Sequence, residues 1–198
     1  AFSSCFMVWS AIAYNQGKLV KPIWDHNGFN FQTTESELSF SETPDPTLIW
    51  DMRGIIKNRP DPFPLPFNPK ETYLDCGLKW GDDIIDLIMA DRGTVVLPLR
   101  NLRGFDELDA ALSYAEDTII GIDWSQEVES VNDDFSIDIV RLLRQLHQRG
   151  QMDILVYSLT GEYPYIPAGA TANFNIKLAT LSEVRPIPSW AQGVFSFE

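Results

Sequence analysis

The 198-residue chain has only two cysteines, two histidines and 15 basic residues, and each shortage excludes something. Cys5 and Cys76 make no disulfide framework of the kind small secreted domains rely on, so two reduced thiols packed as small hydrophobes are expected. His26 and His147 stand far apart and in no ligand spacing, which leaves a zinc site without partners; no metal and no cofactor is expected. Fifteen Lys and Arg face 28 Asp and Glu, a net charge of −13. That balance argues against direct nucleic-acid binding, because phosphate contacts need clustered bases. No apolar run reaches the roughly 18 residues of a spanning helix, and residues 6–14 have no basic flank before them, so neither a membrane span nor a signal is read. A cytoplasmic protein is expected. The P-loop pattern, GxGxxG, GxSxG, HExxH and CxxC are missing as well.

What is present is a packed-protein composition, 44% hydrophobic with 6 Trp, 12 Phe and 6 Tyr, which excludes a disordered acidic tail. A single domain over residues 1–198 is expected. Residues 1–58 read as a β-rich layer. Strands are predicted over residues 6–14, 19–24, 29–33 and 48–50, with turns at Asn15-Gln16-Gly17-Lys18 and Asn27-Gly28. Residues 59–73 form a proline-rich loop. Residues 59–69 hold five of the 13 prolines, and Phe63, Leu65 and Phe67 are expected to pack down onto the body.

From residue 74 helices and strands alternate. A helix is expected after Gly81-Asp82-Asp83, running to just before Gly93. Others follow over residues 105–115 and 134–149, the last with Phe135, Ile139, Leu142 and Leu146 on one stripe. Strands are expected over residues 94–99, 118–123 and 153–159, and an antiparallel one over 172–181; Pro98 suggests a strand end or an edge. The fold class is α/β (or α+β): a mixed sheet with a parallel β-α-β core in the C-terminal two-thirds and an N-terminal β-hairpin layer, in two or three layers.

In such a fold, ligands sit beyond the carboxyl ends of the strands. Those ends carry Arg100 and Asn101, then Asp123, Trp124 and Ser125, then Ser158, Thr160 and Glu162. Asp123 and Glu162 are candidates for a carboxylate pair or for holding a divalent cation, and Ser125 or Thr160 for positioning a ligand. Asp25-His26-Asn27 reads as a turn rather than a dyad, and His147 as a complement to a helix dipole.

The negative charge is unevenly spread. Residues 104–140 contain 11 acids and no Lys or Arg, while the rest holds 17 acids against 15 bases. Asp106 and Glu107 suit one helix start, and Asp133, Asp134 and Asp138 the next. Glu127 and Glu129 are left over, so residues 125–134 (SQEVESVNDD) read as a concentrated negative surface able to steer a basic partner. The runs DELDAALS (106–113), TIIGIDWSQ (118–126) and LLRQLHQRGQMDILVYS (142–158) resemble the barstar family of small acidic α/β inhibitors of a basic ribonuclease; the N-terminal region and the proline loop depart from it, and no inhibitory residue is carried over.

The leading expectation is therefore an acidic protein-binding module, of accessory, inhibitor or immunity type, that docks a basic partner protein through Glu127, Glu129, Asp133, Asp134, Asp123 and Trp124. Two alternatives stand beside it. One is a small α/β hydrolase or transferase with carboxylates at strand C-terminal ends, and the other is a structural or assembly subunit.

Overall fold

Among the described residues eleven strands join into one sheet, and eight of them close into a ring. A computed structural model describes residues 7–34, 46–61, 72–115, 117–183 and 186–197. The ring runs β1 (Val8–Asn15), β4 (Thr47–Asp51), β5 (Thr72–Asp75), β6 (Thr94–Pro98), β7 (Ile119–Trp124), β9 (Asp153–Ser158), β10 (Asn175–Thr180) and β11 (Val194–Ser196). Every neighbouring pair in it is parallel, and β11 pairs with β1 to complete the circle.

The side chains explain the closure. Ring strands are buried on both faces, as in the all-buried β4 (TLIWD) and β6 beyond its first residue. Alternate residues enter two separate apolar clusters. Ala11, Ala13, Leu48, Trp50, Val96, Leu155, Tyr157, Ala179 and Phe195 fill the inside. Ile49, Leu74, Leu97, Ile120, Ile122, Val156 and Leu178 point outward, against Leu87, Leu108, Leu142 and Leu146 of the helices. Inside, small residues oppose large rings, which lets a narrow barrel fill without voids. Gly121 is one such position: a Cβ there would lie 3.0 Å from the Tyr157 ring and 3.1 Å from Val96.

The outer layer consists of α1 (Met52–Lys57), α2 (Ile84–Ala90) after one 3-10 turn at Gly81–Asp83, α3 (Phe105–Tyr114), α4 (Ile139–Gln148) and the short α5 (Ala168–Thr171). After β1 a hairpin stands in place of a helix. Strands β2 (Lys18–Asp25) and β3 (Gly28–Thr33) run antiparallel on the end of β1. Gln16 and Gly17 both have positive φ, 52° and 75°, the backbone of a two-residue primed turn at the predicted place.

The α/β class with a parallel core and an N-terminal hairpin is thus present, and three details differ from the sequence reading. The sheet closes on itself rather than lying open between layers. The strand near the C-terminus, β10, is parallel to both neighbours rather than antiparallel. Pro98 ends β6, as expected, and β6 lies between β5 and β7. The helix expected from residue 134 starts at Ile139, because Asp138 caps it by accepting from the Val140 and Arg141 amides. Cys5 and the packing of Phe63, Leu65 and Phe67 lie outside the described residues. No helix among the described residues is long and apolar enough to cross a membrane.

Candidate functional site

Parallel strands in a ring bring all their carboxyl ends to one mouth. Alternation along each strand decides which side chains turn inward there: Trp50 from β4, Asp75 from β5, Arg100 just past β6, Asp123 from β7 and Tyr157 from β9. Three of these form a charged cluster almost sealed from solvent, with Asp75 0%, Asp123 2% and Arg100 5% exposed.

Arg100 links the two carboxylates. Its Nη1 and Nη2 donate to Asp75 at 3.1 and 2.9 Å, and its Nε and Nη2 donate to Asp123 at 2.7 and 3.0 Å. The Tyr157 hydroxyl donates to Asp75 at 2.8 Å, and the Gly77 amide donates at 2.9 Å. Asp75 therefore accepts four hydrogen bonds, the full capacity of a carboxylate, whereas Asp123 accepts two. Around the guanidinium stand the rings of Phe29, Tyr157 and Trp50, at 5.1, 5.3 and 5.5 Å from its carbon. Phe29 comes from the hairpin, so β2–β3 places an aromatic lid over the charge.

Protonation follows from these contacts. Burial works against the Arg100 charge, but Asp123 and Asp75 outweigh it and hold its pKa above the usual value. Burial is also the largest influence on Asp123 and pushes its pKa up; Arg100 pulls it down, while Asp75 and Glu129 push it further up. The Tyr157 phenol is held protonated, first by burial and then by Asp75, which suits its role as donor.

Glu129 is the second carboxylate at the mouth. It lies on β8 (Val128–Glu129), antiparallel to β7, with Asp123 and Glu129 as direct partners. Facing residues of an antiparallel pair project to the same side. Ser125 Oγ donates to Glu129 Oε1 at 2.5 Å. The segment after β8 is tied over the end of β6, through Ser130 Oγ to the Leu99 carbonyl and the Val131 amide to the Arg100 carbonyl. Between this segment, α1 and the hairpin opens a cleft of about 450 Å³. Arg100, Asp123 and Glu129 line it together with Trp24, His26 and Phe29.

The six residues expected to contact a partner are distributed differently. Asp123 and Glu129 line the cleft, and Asp123 is buried in the ion-pair network rather than displayed on a surface. Trp124 is half-buried and packs against the outer core. Glu127, Asp133 and Asp134 are exposed on the loop outside. Of the strand-end candidates, Arg100 and Asn101 line the cleft and Ser125 orients Glu129. Glu162 is exposed, and its carbonyl accepts from Ser158 Oγ, so no Asp123–Glu162 pair forms. Thr160 Oγ1 accepts from the Glu162 amide. Asp25 accepts from the Asn27 amide at 2.7 Å, the expected turn, which carries His26 to the cleft rim. His147 sits in the last turn of α4.

Sequence reasoning missed Asp75, Tyr157 and the aromatic lid. Asp75 closes a strand too short to stand out beside the proline loop, and Tyr157 reads as one more apolar residue of DILVYSL. Among the described residues no group of three or more His, Cys, Asp or Glu side chains is placed to hold a metal ion. No family model matches the chain, and no curated protein matches it in sequence.

Proposed function

We propose that the chain is an enzyme, a hydrolase or transferase of the α/β type, acting on a small polar molecule in the cleft at the mouth of the ring. One observation carries this reading: Asp123, a buried carboxylate with spare acceptor capacity and a raised pKa, stands beside Glu129 at the carboxyl ends of the strands, among the residues that line the cleft. Hydrolysis and group transfer both need one group to take a proton from the nucleophile and one to return a proton to the leaving group. Asp123 and Glu129 are two such groups on adjacent strands. Arg100 supplies a fixed positive charge, and Asp75 and Tyr157 hold it in place. A buried charge network is weak support for stability alone, and its position at the functional end of the ring favours a chemical role.

The test is incubation of the protein with a small-molecule cell extract, followed by mass spectrometry, beside Asp123→Asn. Depletion of a compound by the parent chain and not by the variant supports the reading. Identical profiles overturn it.

A second reading, the acidic protein-binding module, draws on a different surface. Val131 and Ile137, 59% and 62% exposed, stand among exposed Glu127, Asp133 and Asp134 on the loop beside the cleft. Such a mixture suits a basic partner protein with an apolar centre. Replacing the three acids by amides slows association with a captured partner if this reading holds, and an unchanged on-rate removes it.

A further inference from the structure

We infer that the cleft takes a planar, positively charged nitrogen base, such as an amidine or a protonated amino-heterocycle. The inference deepens the enzymatic reading, because it names the substrate class of the same site. It starts from the charge balance at the floor. Of the lining residues Arg100 brings one positive charge and Asp123 and Glu129 two negative ones, and Asp75, which pairs with Arg100 without lining the cleft, adds a third negative charge beside them. The Arg100 charge is already shared between two carboxylates through four hydrogen bonds. A net negative floor remains, even with a proton on Asp123.

The β2–β3 hairpin supplies shape. Trp24, His26 and Phe29 all reach the cleft from the β2–β3 hairpin, with Trp24 and His26 edge-to-face at 5.0 Å. Aromatic rings and carboxylates lining one cleft match a flat cation on both counts, through cation–π attraction and charge-assisted hydrogen bonds. The same chemistry already operates inside the protein: the Arg100 guanidinium, itself a planar cation, is held by these carboxylates under Phe29. Asp123 has acceptor positions left for further N–H donors, which Asp75 does not. Asn27, Asn58 and Asn101 at the rim accept or donate without adding charge. The chain's charge of −13 raises the local concentration of any cation at this mouth.

The test uses three probes that share one ring and differ in charge: benzamidinium, benzamide and benzoate. Titrations are followed calorimetrically and by the NMR shift of the Trp24 indole. Benzamidinium is expected to bind at least about tenfold more tightly than the other two, with affinity falling as salt rises. Glu129→Gln is expected to weaken it about tenfold, and Trp24→Leu to weaken it while the fold persists. Equal or tighter binding of benzoate, or a benzamidinium affinity untouched by Glu129→Gln, overturns the inference. The two proposals separate cleanly. Benzamidinium at the mouth, with turnover indifferent to Asp123, leaves the ligand class and removes catalysis. Benzoate at the mouth, with Asp123-dependent turnover, does the reverse.

Discussion

Replacing Arg100 by methionine keeps most of the side chain's length and removes its charge and four hydrogen bonds. Asp75 keeps the Tyr157 hydroxyl and the Gly77 amide, but Asp123 keeps no hydrogen bond among the described residues. Breaking a buried ion pair from one side costs about 3–5 kcal/mol, because a charge is left without compensation. That is a large share of the roughly 5–15 kcal/mol by which a domain of ordinary stability is folded. The loss should depend on pH, and its sign follows from Asp123. Burial raises its folded pKa and Arg100 lowers it, so removing Arg100 raises it further. A carboxyl with a folded pKa above its unfolded one contributes stability below the unfolded value of about 3.9 and loses it as pH rises through the folded value. Arg100→Met should therefore regain stability on acidification, at up to about 1.4 kcal/mol per pH unit in that window. Urea denaturation followed by tryptophan fluorescence at pH 5, 6, 7 and 8 measures both quantities. Adding Asp123→Asn to the variant should restore part of the loss at pH 7 and flatten the pH dependence. A variant within about 1 kcal/mol of the parent at pH 7, or one whose deficit is the same at pH 5, would refute the reasoning.

Other consequences follow from single contacts. Tyr157→Phe removes one donor to a buried carboxylate and should cost about 1.5–3 kcal/mol in the same denaturation assay, with no change in the far-UV spectrum. Gly121→Ala forces a methyl group to 3.0 Å from the Tyr157 ring and 3.1 Å from Val96, and should lower stability by about 1–3 kcal/mol; a crystal structure should show the ring displaced from Asp75. Asp51, buried at the end of β4, caps α1 and also accepts from the Asp61 amide. Burial raises its pKa from 3.8 to about 6 against the pull of these hydrogen bonds. Its contribution is present below about 4 and lost as pH rises through about 6, which amounts to about 3 kcal/mol. Relative to Asp51→Asn, the parent should thus gain stability between pH 7 and pH 4.5. Parallel pH profiles for the two proteins would contradict that assignment.

Local signals carried much of this fold. The hydrophobic alternation of residues 118–123 and 153–159 and the stripe on α4 were legible because each element writes its own period. The turn at Gln16-Gly17 was legible because its backbone needs particular residues. The start of α4 was misplaced because Asp133, Asp134 and Asp138 all suit a helix start, and only the bonds of Asp138 to the Val140 and Arg141 amides decide among them. The direction of β10 was misread because alternation reveals a strand but not its partners.

The candidate site divides in the same way. Asp123, Arg100 and Asn101 could be named in advance as polar residues at strand ends, since parallel βα order directs ligands there. Glu129 could be named for its charge, but not for its place beside Asp123. The amino-acid sequence by itself determined the α/β class, the excess of acid, and which strands end in polar groups, because composition and periodicity are properties of single segments. Only the tertiary structure decided that the sheet closes, that Asp75 and Tyr157 lock Arg100 to Asp123, and that the hairpin sets Phe29 above them. Those juxtapositions join residues up to 186 positions apart, as in the Val8–Val194 pairing that closes the ring, and their geometry is set by strand order and ring closure, which no local pattern encodes.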